Sequence, residues 1–224
     1  MKQLNNMVVA LLHPSVVFRN AAPPSKHRRN TSGKRMMTNF IEPHKAAWKI
    51  AFEDLKGVLF KLLGNCEIDI QHIGSTAIPD LFAKPILDID LIMHNKALLG
   101  VITARLEKIG YTNRGEQGIR GRFAFRQQSE WTPQTKDNRT WQEHHLYVCY
   151  PDSLALKNHL LFRDALLGDK KLVEEYNVLK TSLVQEEGMT REKYTKQKTD
   201  FIISVLTKLG LDKDELDEIK KANA

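Results

Sequence analysis

Residues 85–93, PILDIDLIM, place two acidic residues at alternate positions of an otherwise apolar run. Strand side chains point to opposite faces in turn, so Asp88 and Asp90 share one face while Leu87, Ile89 and Leu91 occupy the other. The apolar face demands a core. The acidic face holds two like charges a few ångströms apart, which raise each other's pKa or recruit a cation. Hard oxygen donors arranged in this way suit Mg²⁺ or Mn²⁺ held jointly with substrate phosphates.

The residues upstream supply a complement to that face. Residues 67–73 alternate apolar and polar and read as a strand, after which come Gly74 and Ser75. Glycine lets the backbone approach a phosphate closely, and the amides that open the next helical turn can donate to its oxygens. Asp88 follows Ser75 by thirteen positions, which gives the order strand, Gly-Ser turn, short irregular connection, acidic strand.

Around this centre the periodicity changes several times. Trp48, Ala51, Phe52, Leu55, Val58, Leu59 and Leu62 recur at helical spacing over residues 44–64. Residues 96–109 read as a second helix. Residues 111–116, 120–126 and 141–150 read as strands, the last two separated by a polar loop at 127–140. Ser153 can cap a helix toward Leu167, residues 170–185 continue helically, and Thr190 can start another helix through Leu209. Beyond Gly210 the charge-rich LDKDELDEIKKANA predicts a frayed, solvated terminal helix. The organisation expected is a leader at 1–40, one domain at 41–210 and a charged tail at 211–224.

The formal net charge of +7 invites a nucleic-acid reading until its location is checked. Lys2, Arg19, Lys26, Arg28, Arg29, Lys34 and Arg35 lie ahead of Glu42, the first acidic residue. Without those seven, 27 of the 34 Lys and Arg remain, equal to the 27 Asp and Glu. The formally neutral body disfavours an extended nucleic-acid surface, although Trp131, Trp141 or Tyr147 could stack on bases. The acid-free leader is compatible with organelle targeting, or with upstream sequence preceding a start near Met36 or Met37. Cys66 and Cys149 have no metal-ligand spacing and suit reduced, buried thiols in a cytoplasmic compartment. No run approaches the length of a membrane span. A zinc site is rejected, because adjacent His144 and His145 on a strand point to opposite faces.

The pattern of Gly-Ser, spacer and Asp-Ile-Asp resembles the signature of DNA polymerase beta-like nucleotidyltransferases. Within that superfamily the chain is most similar to the GrpB family, through HIGSTAIPDLFAKPILDIDLIM, EHHLYVC, HLLFRDAL, EEYNVLK and YTKQKTDFI. The similarity covers about residues 41–206. It implies an α+β fold, a nucleotidyltransferase-like mixed β-sheet flanked by helices, with a C-terminal helical portion. It also implies that Gly74 and Ser75 face nucleotide phosphates and that Asp88 and Asp90 bind Mg²⁺ or Mn²⁺.

Active relatives commonly take a third carboxylate from a neighbouring strand. Glu143 is the candidate here, with His145 as a polar partner, and Glu143 could equally be a solvated edge residue. Lys84, Arg122, Arg126 and Lys198 are candidates to neutralise phosphate charge. The expected chemistry is attack of an unknown acceptor on the α-phosphorus of a nucleoside triphosphate, with pyrophosphate leaving. The alternative is a nucleotide- or protein-binding module of the same fold without turnover.

Overall fold

The computed structural model describes residues 41–222. The expected leader at 1–40, and with it the targeting reading, lies outside the described residues. Helix α1 (Ala46–Leu63) buries Trp48, Phe52, Leu55, Leu59 and Leu63, a stripe spaced by three and four residues along one side. Five strands follow: β1 (Ile68–Ile73), β2 (Leu87–Met93), β3 (Tyr111–Asn113), β4 (Arg122–Gln127) and β5 (His144–Cys149). Helix α2 (Leu99–Lys108) lies between β2 and β3.

The strands form one mixed sheet in the order β1-β2-β5-β4-β3. Strand β2 runs antiparallel to β1 and parallel to β5, and the β5-β4 and β4-β3 pairs are antiparallel. With partners on both sides, β2 keeps its backbone groups inside the ladder, and its side chains alone decide what each face becomes. One face carries Leu87, Ile89, Leu91, Phe125, Leu146 and Val148, which join the main core beneath α1 and α2. The other carries Ile92, Ala124, Tyr147 and Cys149 around Leu156, together with the two aspartates.

That second face is covered by helices α3 (Leu154–Gly168), α4 (Lys170–Gln185) and α5 (Arg191–Lys208). Ser153 Oγ accepts from the Leu156 amide and Thr190 Oγ1 from the Lys193 amide, so both caps expected from the sequence form. Asp169 caps α4 in the same way. Phe162, Tyr176 and Phe201 bind the three helices together, with Tyr176 stacked on Phe201 at 4.7 Å. The connection after the Gly-Ser turn docks on α4: Asn177 donates to the Asp80 carbonyl and accepts from the Phe82 amide, both at 2.8 Å. This is the α+β fold that the sequence predicts, a mixed sheet flanked by helices with a helical C-terminal portion.

Two expectations need correction. The tail is a docked helix, α6 (Lys213–Ala222), whose Ile219 is buried with Leu211, Ile202, Ile203 and Leu206. Its abundant charges conceal a short apolar stripe of Leu211, Leu216 and Ile219, and it is that stripe which packs. Strand β5 also begins at His144, later than expected. Trp141 lies ahead of it, its indole donating to the Pro133 carbonyl at 2.8 Å.

The buried pair Tyr111 and His144 links β3 to β5. A tyrosine hydroxyl donates to His144 Nε2 at 2.6 Å, and Nδ1–H donates to the Gln142 carbonyl at 2.8 Å. Both ring nitrogens are satisfied in the neutral form, and burial lowers the His144 pKa to about 4. Folded protein therefore binds fewer protons here than unfolded protein between pH 6.5 and about 4. Stability is complete above that window and is lost as pH falls through it, by on the order of 3 kcal/mol from this group. Tyr111→Phe should cost about 1–3 kcal/mol at pH 7 by leaving Nε2 unpaired. Urea denaturation at pH 7 and pH 4.5 checks both; equal midpoints for the two proteins at pH 7 would refute the hydroxyl's role.

Candidate functional site

The site begins where β1 ends. Gly74 adopts φ 69° and ψ −172°, and a Cβ at this position would overlap the Asp88 carboxylate. Glycine is required both for the left-handed backbone and for the close approach of the turn to β2. Residues Ser75–Ala77 then form a single 3₁₀ turn. Lys180, from α4, reaches this turn and donates to Ser75 Oγ at 2.7 Å and to the Phe82 carbonyl at 2.6 Å. Its ammonium also lies 4.5 Å from the Tyr176 ring centroid. Burial drives the Lys180 pKa well below its ordinary value; Lys198 adds to the shift and Asp88 opposes it.

The two acids of β2 have different fates. Asp88 is partly exposed and accepts a hydrogen bond from His145 Nδ1 at 2.9 Å. Asp90 is fully buried and accepts from His159 Nδ1 at 2.8 Å, the histidine standing on α3. A carboxylate only accepts, so both histidines carry a proton on Nδ1. Asp90 Oδ1 is buried and accepts no hydrogen bond at ordinary distance. Burial, and after it the Asp90 carboxylate, hold the nearby Cys149 thiol well above its usual pKa. Tyr147 lies between the histidines, 6.3 Å from the His145 ring and 6.2 Å from that of His159.

A cavity separates this face of the sheet from the helices. Gly74, Ser75, Asp88, His145 and Tyr147 line it from the sheet side; His159 and Arg163 enter from α3, Lys180 from α4, Lys198 from α5, and Lys84 from the loop. Burial lowers the Lys198 pKa to about 8, with Asp88 partly offsetting it. Arg163 is anchored to Gln71 Oε1 at 2.9 Å and the His72 carbonyl at 3.2 Å, and Asp164 pairs with its Nε at 2.8 Å.

Of the residues singled out in the sequence, Gly74, Ser75, Lys84, Asp88, His145 and Lys198 come together at the cavity. Asp90 lies in the layer beneath its walls. Glu143 is exposed, precedes β5 and is not a cavity wall. Arg122 is buried within the face, its guanidinium 4.5 Å from the Tyr147 ring, and Arg126 is exposed toward the far end of β4. Lys180, Arg163 and His159 were not anticipated. Their signal is present as polar residues inside apolar stripes: Val173, Tyr176, Lys180 and Leu183 on α4, and Leu156, His159, Arg163 and Leu166 on α3.

The register tests the metal that the resemblance implies. On β5, Asp88 faces His145 and Asp90 faces Tyr147, so the strand beside the acid pair offers no third carboxylate. Among the described residues no group of three or more His, Cys, Asp or Glu side chains could hold a metal ion. A two-metal centre needs donors for two cations, and this set does not fit one. Gly74→Ala should displace Asp88 and cost about 1–3 kcal/mol through the positive φ and the overlap together. Chemical denaturation measures it, and a variant as stable as the parent would show that the turn relaxes freely.

Comparison with known proteins agrees with this geometry. The family model described as GrpB protein matches residues 39–208. UPF0157 protein YqkA of Bacillus subtilis is 32% identical over 155 residues, covering 69% of this chain and 42% of YqkA, so the chain spans less than half of that relative. Glutamate-rich protein GrpB of Alkalihalophilus pseudofirmus is 29% identical over 167 residues, 74% of this chain and 92% of that protein. The crystal structure of conserved protein GrpB from Enterococcus faecalis superposes with a TM-score of 0.61 at 28% identity, covering 81% of this chain and 98% of that one. With the Gly-Ser turn, the acidic strand and the three helices that close the cavity all inside the matched span, the chain belongs to the GrpB family.

Proposed function

We propose that the chain binds the phosphate chain of a nucleotide in the cavity between the sheet and its helical portion. The observation that carries this reading is the convergence of Arg163, Lys180 and Lys198, from three separate helices, on the cavity that the Gly74-Ser75 turn lines, with Lys180 bonded to Ser75. Asp88 is the one carboxylate among the described cavity walls. A buried ammonium is unfavourable until an anion shares its surroundings, and charge-assisted hydrogen bonds to phosphate oxygens are among the stronger ones available. Phe162, Leu166 and Ile202 add apolar wall against which a nucleoside can rest.

Nucleotidyl transfer to an unknown acceptor is the second reading. It is favoured by one observation, the shared face of Asp88 and Asp90 beside Gly74 and Ser75. It lacks support from β5, where His145 and Tyr147 occupy the positions opposite the pair.

Calorimetric titration of a panel of nucleoside triphosphates tests the first reading, and pyrophosphate release followed in parallel tests the second. Lys198→Met should weaken binding by about tenfold, the loss of one good charge-assisted contact. Wild-type affinity should also fall as pH rises from 7 to 9.5, because Lys198, with its pKa lowered to about 8, loses its charge across that range. A protein that takes up no triphosphate at any pH in this range would sink the proposal.

A further inference from the structure

We infer that the cavity holds its phosphate ligand without a divalent cation, the helix-borne cations supplying the countercharge and the acid pair being engaged by histidines instead. This inference rests on the phosphate-binding reading above and concerns how the charge of that ligand is met.

The first support is the state of the acids. A cation bridging Asp88 and Asp90 to a phosphate needs both carboxylates at the cavity surface. Asp90 is fully buried, is absent from the walls and is tied at 2.8 Å to a histidine that is itself only 5% exposed. Leaving a buried carboxylate without its hydrogen-bond partner is strongly unfavourable. The open oxygen of Asp90, Oδ1, does not change this, since it is buried in the same layer beneath the cavity. Asp88 does reach the surface, but one of its oxygens is held by His145.

The second support is the balance of charge. A site that binds phosphate through metal ions concentrates carboxylates, and the metals bring the positive charge. Here the proportions are reversed. Lys180, Lys198 and Arg163 line the cavity along with Lys84, against Asp88 alone. Asp164 offsets part of the Arg163 charge at the exposed rim. Lys180 is positioned by Ser75 Oγ and the Phe82 carbonyl, so its amine is held beside the turn before any ligand arrives. Cationic groups held in a partly enclosed site act on an anion more strongly than the same charges in water.

A polyphosphate chain is common to nucleoside triphosphates and to inorganic tripolyphosphate, so ATP and tripolyphosphate are both titrated into the full chain, once with EDTA and once with Mg²⁺. The expected result is a Kd that agrees within about threefold between the two buffers. ATP binding the more tightly would assign the nucleotide as ligand, and equal binding would assign the inorganic chain. Asp88→Asn removes the like charge facing the ligand and should tighten binding, by about two- to tenfold. A loss of tenfold or more on adding EDTA would overturn the inference while leaving phosphate binding intact. So would loss of binding by Asp88→Asn in Mg²⁺, with its circular dichroism unchanged. Absence of binding in both buffers would overturn the phosphate-binding reading itself, and this inference with it.

Discussion

An acidic face on a strand inside a sheet must be wet or it must be paired, because an isolated carboxylate is too costly to bury alone. In this chain the face of β2 that carries Asp88 and Asp90 is covered by helices, and the covering is polar where it meets the acids. His159 on α3 meets Asp90, His145 on the neighbouring strand meets Asp88, and the cations of α3, α4 and α5 surround the cavity that remains. The helical portion is therefore more than an appendix to the sheet. Its stripes are apolar at most positions so that it packs, and polar at a few, one of which, His159, gives Asp90 its partner.

The same requirement explains the glycine at the head of the turn. The chain passes so close to Asp88 that no Cβ fits, and this closeness sets Ser75 within reach of Lys180. Sheet, turn and α4 thus fix one another's positions: the turn places the hydroxyl, the helix places the amine, and β2 sets how near both can approach.

Much of this was legible in the sequence because it depends on local rules. Strand alternation places the two acids on one face, helical spacing defines α1, and Ser153 and Thr190 cap the helices they precede. What escaped depends on pairing between distant segments. Whether Glu143 or His145 faces the acids is decided by the parallel register of β5 against β2, which no local pattern encodes. Arg122 shares a strand face with Arg126, yet lies deeper, where the Tyr147 ring covers it. Lys180 and His159 are ordinary helix residues until a second element closes over them. The tail was misread for a different reason: its many charges outweigh three apolar residues in composition, while packing responds to the three.

The fastening of the loop after the Gly-Ser turn has a mechanical consequence. Asn177 grips it at Asp80 and Phe82, and Lys180 holds the Phe82 carbonyl, so one turn of α4 clasps the loop at three hydrogen bonds. A segment clasped in this way cannot flap independently. Loop and helix move as one rigid lever, and widening the cavity on that side means tilting α4 against the Phe162 and Phe201 rings that hold it. The width of the cavity on that side is thereby coupled to the stiffness of a helix-helix joint.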